Sequence, residues 1–307
     1  MIAVFEALFP VFALIILGAI LKRRGPMGEE AWKGLAELCY FILYPALLVK
    51  TLSTADLSRV SISSYSATLI STVIIMTTIL MVLRPLLKAK GISGAAFTSL
   101  FQGVTRWHGF VALAVTGLLY ADPGLTYIAL TIAIFVPFLN FVNVVVLSIF
   151  AGQSFSFRRL ALQILRNPFI SACAFGLTLN FTGLGIPRVA YSFLDILGGG
   201  GLGLGLLTVG AGLQFSLDFK DNLMVALGVI LRLIAMPLLM YFSASLFGMD
   251  GLARTVAMIA AAVPTAASSY VLARQMGGDA ALMANIITAQ VLAAIITMPA
   301  ILWLAGH

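Results

Sequence analysis

Ten apolar runs, each about twenty residues long, follow one another along this chain with only short polar stretches between them. A helix needs about 20 such residues to cross the hydrocarbon core of a bilayer. In hydrocarbon every backbone N–H and C=O must find a partner within the protein, so only helices and closed barrels can span it. Runs of this length are helical, and the chain reads as an all-α polytopic membrane protein. The expected spans are 3–21, 34–52, 62–83, 93–119, 125–150, 160–179, 188–215, 223–247, 252–276 and 280–305. Composition agrees: charged residues make up 9% of the chain, against about 25% in a soluble domain, and the mean hydropathy is +1.09. The lipid bilayer is therefore an expected partner. The N-terminus has no basic segment before its apolar run and reads as a first membrane helix rather than a removable signal.

The formal charge is +7, but the basic residues stand between apolar runs and leave no basic face for nucleic acid. Counted by loop, Lys22, Arg23, Arg24, Lys33, Arg84, Lys88, Lys90, Arg158, Arg159, Arg166, Lys220 and Arg274 fall on odd-numbered loops, and Lys50, Arg59, Arg188 and Arg254 on the other side. Lys and Arg favour the cytoplasmic side, so ten spans put both termini outside. Arg106 and Arg232 remain within spans. Cys39 and Cys173 lie in apolar runs with no metal or redox spacing around them, and read as buried small hydrophobes. No metal ligand set, catalytic set or cofactor motif is expected. The run Gly198–Gly201, Gly203, Gly205 lacks the preceding strand and the following Lys-Ser/Thr of a phosphate loop. It reads as a flexible break in the seventh span that lets backbones pack or slide.

Two stretches interrupt their apolar surroundings. One is Val263-Pro264-Thr265-Ala266-Ala267-Ser268-Ser269, the other Gln102-Gly103-Val104-Thr105-Arg106-Trp107-His108-Gly109. Proline removes a donor and frees a carbonyl one turn earlier, and a broken helix at membrane depth is tolerated only where protein or a cavity re-satisfies it. The two stretches are related by an internal repeat. A shift of 158 carries Pro10 to Pro168, Gly18 to Gly176, Gly25 to Gly183 and Glu37 to Asp195. A shift of 157 carries Gly94 to Gly251, Thr98 to Thr255, Asp122 to Asp279 and Gly109 to Ala266. A unit of five spans inserts in opposite orientations when repeated, which is the plan of many secondary transporters. The expectation is two inverted five-helix repeats, 1–152 and 153–307, with broken helices four and nine crossing near the midplane.

A crossing of this kind aims two half-helix N-termini at one spot, and their unpaired N–H groups and partial positive charge suit an anion. The candidate substrate-binding residues are Arg106, Trp107, His108, Gly109, Thr265, Ser268, Ser269, Gln102 and Asn140, and the candidate helix breaks are Pro264, Gly109 and Pro45. Arg106 reads either as a bidentate ligand for a carboxylate or as a clamp on nearby carbonyls. His108 reads as a hydrogen-bond partner or proton carrier, or as a histidine satisfied within the break. Trp107 either stacks on a substrate or packs in the core. Gln102 and Asn140 are open to an alternative role as interhelical glue. Arg232 reads as the partner of Glu37 or Asp195, or as part of an anion exit path.

The span-nine stretch Pro264-Thr265-Ala266-x-x-Ser269-Tyr270-Val271-Leu272-Ala273-x-x-Met276-Gly277-Gly278-Asp279, followed by Thr288 and Thr297-x-Pro299, resembles the auxin efflux carrier family. Pro10 with Gly18, Pro45-Ala46-Leu47-Leu48, and Arg232-Leu233 with Pro237-Leu238 are similar to it too. The resemblance covers the whole chain. It implies crossed broken helices four and nine, a scaffold set of helices and a moving transport set, and organic anions as substrates, auxin-like or dicarboxylate. The chain departs from the family at 106–109, where a family Asn followed by Gly-x-Pro is replaced by Arg106-Trp107-His108-Gly109. The expected function is secondary-active transport of a small organic anion by an elevator-type movement in a bacterial inner membrane. Protons are the coupling ion considered, and a homodimer the assembly considered. The nearest rival is a sodium-coupled carrier of the bile-acid or antiporter type, which calls for clustered acidic and amide groups at the crossing. A channel is a further rival; an intramembrane enzyme lacks its paired carboxylates or Cys/His set.

Overall fold

The computed structural model describes residues 2–152, 156–213 and 222–305, and every regular element among them is helical. The helices are α1 Ile2–Arg24, α2 Glu29–Leu38, α3 Tyr44–Thr54, α4 Ile62–Ala89, α5 Gly94–Thr105, α6 Gly109–Phe150, α7 Phe157–Leu165, α8 Pro168–Thr182, α9 Arg188–Ala211, α10 Asn222–Ile230, α11 Met236–Leu246, α12 Gly251–Ala262, α13 Ser268–Met276 and α14 Ala280–Leu304. Lys220, His307 and the end of the expected seventh span at Phe215 lie outside the described residues. Local chemistry sets several of the ends. The Ser93 hydroxyl accepts from the Ala96 amide at the start of α5, and the Asp279 carboxylate accepts from the Leu282 amide at the start of α14. Gly277, at φ 74°, ends α13 in the left-handed conformation that glycine adopts without steric cost.

Among the described residues six stretches are long and apolar enough to cross a membrane: Glu29–Thr54, Ile62–Ala89, Gly94–Phe150, Arg188–Ala211, Leu223–Leu246 and Ala280–Leu304. Of the other expected runs, 93–119 and 125–150 are merged in Gly94–Phe150, 160–179 and 252–276 are divided into shorter helices, and 3–21 falls in α1, a helix of 23 residues that is not one of the six. Gly94–Phe150 holds two expected spans, and α6 is itself divided at Ala121, where φ is 47° and ψ −142°, just before Asp122-Pro123. Helix α8 has 15 residues, about 22 Å at 1.5 Å per residue. The expected run 160–179 is split because Asn167-Pro168 starts a new helix: the Asn167 side chain accepts from the Phe169 and Ile170 amides.

Elements at the repeat shift coincide. Helices α5 and α12 both have 12 residues, and the shift of 157 carries Gly94–Thr105 onto Gly251–Ala262 at both ends. Their C-caps match as well: Arg106 leaves at φ −74°, ψ 156°, and Val263 at φ −68°, ψ 149°.

The helices pack in two groups. In one, α1 lies on α9, and α3 lies on both α8 and α9. In the other, α4 meets α11, α12 meets α6 and α11, and α14 meets α5, α10 and α13. Across the seam α6 rests on α8 and α9, with Phe110 stacked on Tyr44 at 4.2 Å between ring centroids.

Four expectations are corrected here. The glycine run does not break the seventh span, since α9 is continuous from Arg188 to Ala211. Its glycines do serve close packing, by admitting α3: a Cβ at Gly205 would run into the Tyr44 hydroxyl, and one at Gly198 would stand 2.9 Å from the Leu47 Cα. Pro45 does not interrupt its helix either. The five residues Cys39–Leu43 form a π turn, in which the Tyr44 amide reaches back to the Cys39 carbonyl, and the helical path continues past the proline. Lys50 is not a loop residue; it is buried in α3, 2.7 Å from the Asp195 carboxylate and 3.7 Å from that of Asp122. Arg232 is paired with neither Glu37 nor Asp195; its partners are backbone carbonyls at the helix crossing.

Candidate functional site

The two broken helices meet. Between α5 and α6 the chain runs extended through Arg106, and between α12 and α13 through Val263. The His108 amide donates to the Pro264 carbonyl at 2.9 Å, and the Thr265 hydroxyl donates to the Gln102 carbonyl at 3.2 Å. Each break leaves two kinds of helix end: a C-terminal end with bare carbonyls and partial negative charge, and an N-terminal end with bare N–H groups and partial positive charge.

The carbonyl ends are closed by two buried side chains. Arg232, fully buried, donates from Nε to Val263, from Nη2 to Ala260 and from Nη1 to Val104, at 2.8, 2.9 and 3.3 Å. One guanidinium thus serves the ends of both α5 and α12. It lies in a second π turn, Leu231–Ala235, directly before Met236-Pro237. Gln290 of α14 accepts from the Thr265 amide at 2.9 Å and donates to the carbonyls of Gly103 and Gly228 at 2.7 and 2.8 Å.

The N-terminal ends face a cavity of about 550 Å³. Arg106, Trp107, His108, Gly109, Asn140 and Ser268 line it. The Arg106 guanidinium donates to the Ser268 hydroxyl at 3.2 Å. His108 is 6% exposed and neither ring nitrogen has a hydrogen-bond partner. Trp107 packs edge-on against Phe135 at 5.4 Å, so most of its indole is core. Among the described lining residues none is Asp or Glu. The cavity therefore combines helix N-termini, a guanidinium and an unpartnered imidazole, with no carboxylate to compensate them.

Gln102, Thr265, Ser269 and Pro264 stand behind this wall. They are buried and do not line the cavity; the Thr265 and Ser269 hydroxyls lie 3.4 Å apart, and the Gln102 side-chain amide is without a partner. Pro45 is likewise absent from the lining.

Three polar lining residues escaped the sequence reading: Tyr40, Asn167 and Gln275. Asn167 donates to the Tyr40 hydroxyl at 3.2 Å. Asn167-Pro168 is a helix-start signal that an unbroken apolar run had covered. Tyr40 is placed by the π turn before Pro45, a local geometry with no sequence pattern beyond the proline itself. Both sit on the first group of helices and Arg106, His108 and Ser268 on the second, so the cavity lies on the seam between the groups.

The family model described as membrane transport protein matches residues 153–302. No curated protein matches the chain.

Proposed function

We propose that this chain, whose residues 153–302 match the membrane transport protein model of the auxin efflux carrier family, is an integral membrane transporter that carries a small organic anion by secondary-active transport. The observation that carries this reading is the cavity at the crossing, where cationic and donor groups converge without a carboxylate among the described lining residues. A carboxylate there meets the first-turn N–H groups of α6, the Arg106 guanidinium and the His108 imidazole, while in α13 the Ser269 and Tyr270 amides already donate to the Ala266 and Ala267 carbonyls. Trp107, Phe110 and Phe169 border the same space and suit a substrate with an apolar body, auxin-like or a short dicarboxylate.

The movement is of the elevator type. The helices α1, α3, α8 and α9 form the scaffold, and the group holding both breaks moves with the substrate. The matching lengths and exits of α5 and α12 support ten crossings arranged as two inverted repeats. Protons are the coupling ion in this reading, and a bacterial inner membrane the location. With Lys50 inside α3, only Arg59, Arg188 and Arg254 remain on the side opposite the basic loops, which supports termini on the outer face.

The test is uptake into liposomes holding the purified protein. Labelled monocarboxylates, dicarboxylates and indole acids are offered under an imposed pH gradient or an imposed sodium gradient. Uptake of a carboxylate driven by the pH gradient is expected. Uptake driven by sodium alone would replace the proton reading with the sodium-coupled one, and transport only of cations or neutral solutes would end the anion reading.

A further inference from the structure

A second cavity system, which shares no lining residue with the one at the crossing, lies along α1. Two adjoining spaces of about 460 and 400 Å³ share Phe12, Ile16 and Ile20 of α1 and Ile295 of α14 as walls. Together they form one groove between these helices. Leu8, Phe12, Ile16 and Ile20 follow at four-residue spacing, which puts them on one face of α1. The next residue in that series is Arg24, which lines the groove's mouth together with Arg23.

The opposite face of α1 is fixed. A Cβ at Gly18 would collide with the Leu207 carbonyl of α9, and one at Gly210 with the Ile15 carbonyl. Helix α1 therefore cannot roll to close the groove without parting from α9. The floor is dry and buried, with Phe12 at 6% and Ile15 at 2% exposure, while Ile16 and Ile20 on the rim are each 49% exposed. From Leu8 to Ile20 the apolar part measures about 18 Å at 1.5 Å per residue. Half of a hydrocarbon core about 30 Å thick is about 15 Å. The groove is thus one leaflet deep and ends in two guanidinium groups one turn beyond it.

We propose that the α1–α14 groove is a binding site for an anionic glycerophospholipid, with an acyl chain along Phe12, Ile16 and Ile20 and the headgroup phosphate on Arg24. Guanidinium groups hold phosphate through paired N–H donors, and basic residues at the end of a membrane helix favour anionic lipids. Helix α1 belongs to the group packed on α9 and α14 to the group holding the breaks, so the lipid spans the seam between them.

The test uses delipidated protein in mixed micelles with dioleoyl phosphatidylglycerol, dioleoyl phosphatidylcholine or glycerol 3-phosphate, reading melting temperature and retained lipid by native mass spectrometry. Phosphatidylglycerol should be retained at least fivefold more than phosphatidylcholine and should raise the melting temperature; glycerol 3-phosphate alone should do neither. The variant Arg24→Gln should lose the preference while keeping the lipid-free melting temperature. Ile16→Trp, which fills the groove, should retain less of both lipids. Equal retention of the two lipids by the wild-type chain, or an unchanged preference in the arginine variant, overturns the proposal. A change of oligomeric state in Ile16→Trp with lipid retention intact also overturns it, because the groove would then be covered by a second copy.

Discussion

The His108 amide and the Pro264 carbonyl are joined by a 2.9 Å hydrogen bond across the two broken helices. The freed backbone of one break is satisfied by the other, which is how irregular backbone persists at membrane depth. The two breaks are thereby one structural unit. Gly109, next to His108, and Ala266, two residues past Pro264, are equivalent under the 157-residue shift, and both line the cavity. A cysteine pair at these positions in a background lacking Cys39 and Cys173 is expected to cross-link with a short bifunctional reagent. The check is a mass shift of one reagent per chain; two unlinked, singly labelled thiols would mean that the breaks separate in solution.

Arg232 sets the stability of the crossing. Replacing it by Met leaves the carbonyls of Val104, Ala260 and Val263 buried without their donor. An orphaned buried acceptor costs about 1–3 kcal/mol, so the loss should exceed about 3 kcal/mol. Arg232→Lys should recover only part of it, because an ammonium cannot present a planar fork to three acceptors. Thermal unfolding in detergent measures both. A Met variant within about 1 kcal/mol of wild type would mean that water replaces the guanidinium.

How far this was legible in the sequence follows from the kind of signal each feature leaves. The two breaks were readable because Pro264 and Gly109 interrupt a helix by their own residue type. The α5 and α12 boundaries obey the 157-residue shift. Arg232 was visible as a buried charge but not as a carbonyl clamp, since its partners are backbone atoms that every residue possesses. Lys50 was misassigned to a loop because its partners, Asp195 and Asp122, are remote in sequence. Hydropathy sees the charge and not the pairing. The glycine run reads as a flexible break for a similar reason: the side chain that requires Gly205 is Tyr44, on another helix. Tyr40 was missed because a π turn shifts a helix's register by one residue without a residue type that announces it.

Lys50 gives a graded prediction. Its ammonium is held by Asp195 at 2.7 Å and by Asp122 at 3.7 Å, whose side chains are 54% and 73% exposed. Asp195→Asn should destabilise the protein by about 1–3 kcal/mol, at the low end because the carboxylate is half in solvent. Asp122→Asn should cost less than about 1 kcal/mol. Combining Lys50→Met with Asp195→Asn should be less damaging than the sum of the two singles, since each single leaves a charge unpaired. Additive losses in that cycle would show that the pair contributes nothing as a pair.

Arg106 decides the anion site. Helix N-termini contribute about 0.3–2 kcal/mol toward an anion, too little to offset the desolvation of a carboxylate. A side-chain cation or donor must supply the difference, and the cavity offers Arg106 and His108. Unlike Arg232, Arg106 makes no hydrogen bond to a carbonyl at the crossing among the described contacts; its guanidinium reaches the Ser268 hydroxyl at 3.2 Å. Arg106→Gln should therefore leave the melting temperature of the substrate-free protein within a few degrees of wild type. Affinity for the transported carboxylate should fall by about 1.5–3 kcal/mol, the worth of a hydrogen bond to a charged group, or roughly 10–150-fold. His108→Gln should weaken binding less, because it keeps a donor at the cavity wall. Affinity and melting temperature are to be read on the same purified variants. A lowered melting temperature with unchanged affinity in Arg106→Gln would make the residue a clamp, and unchanged affinity in both variants would remove the carboxylate from this cavity.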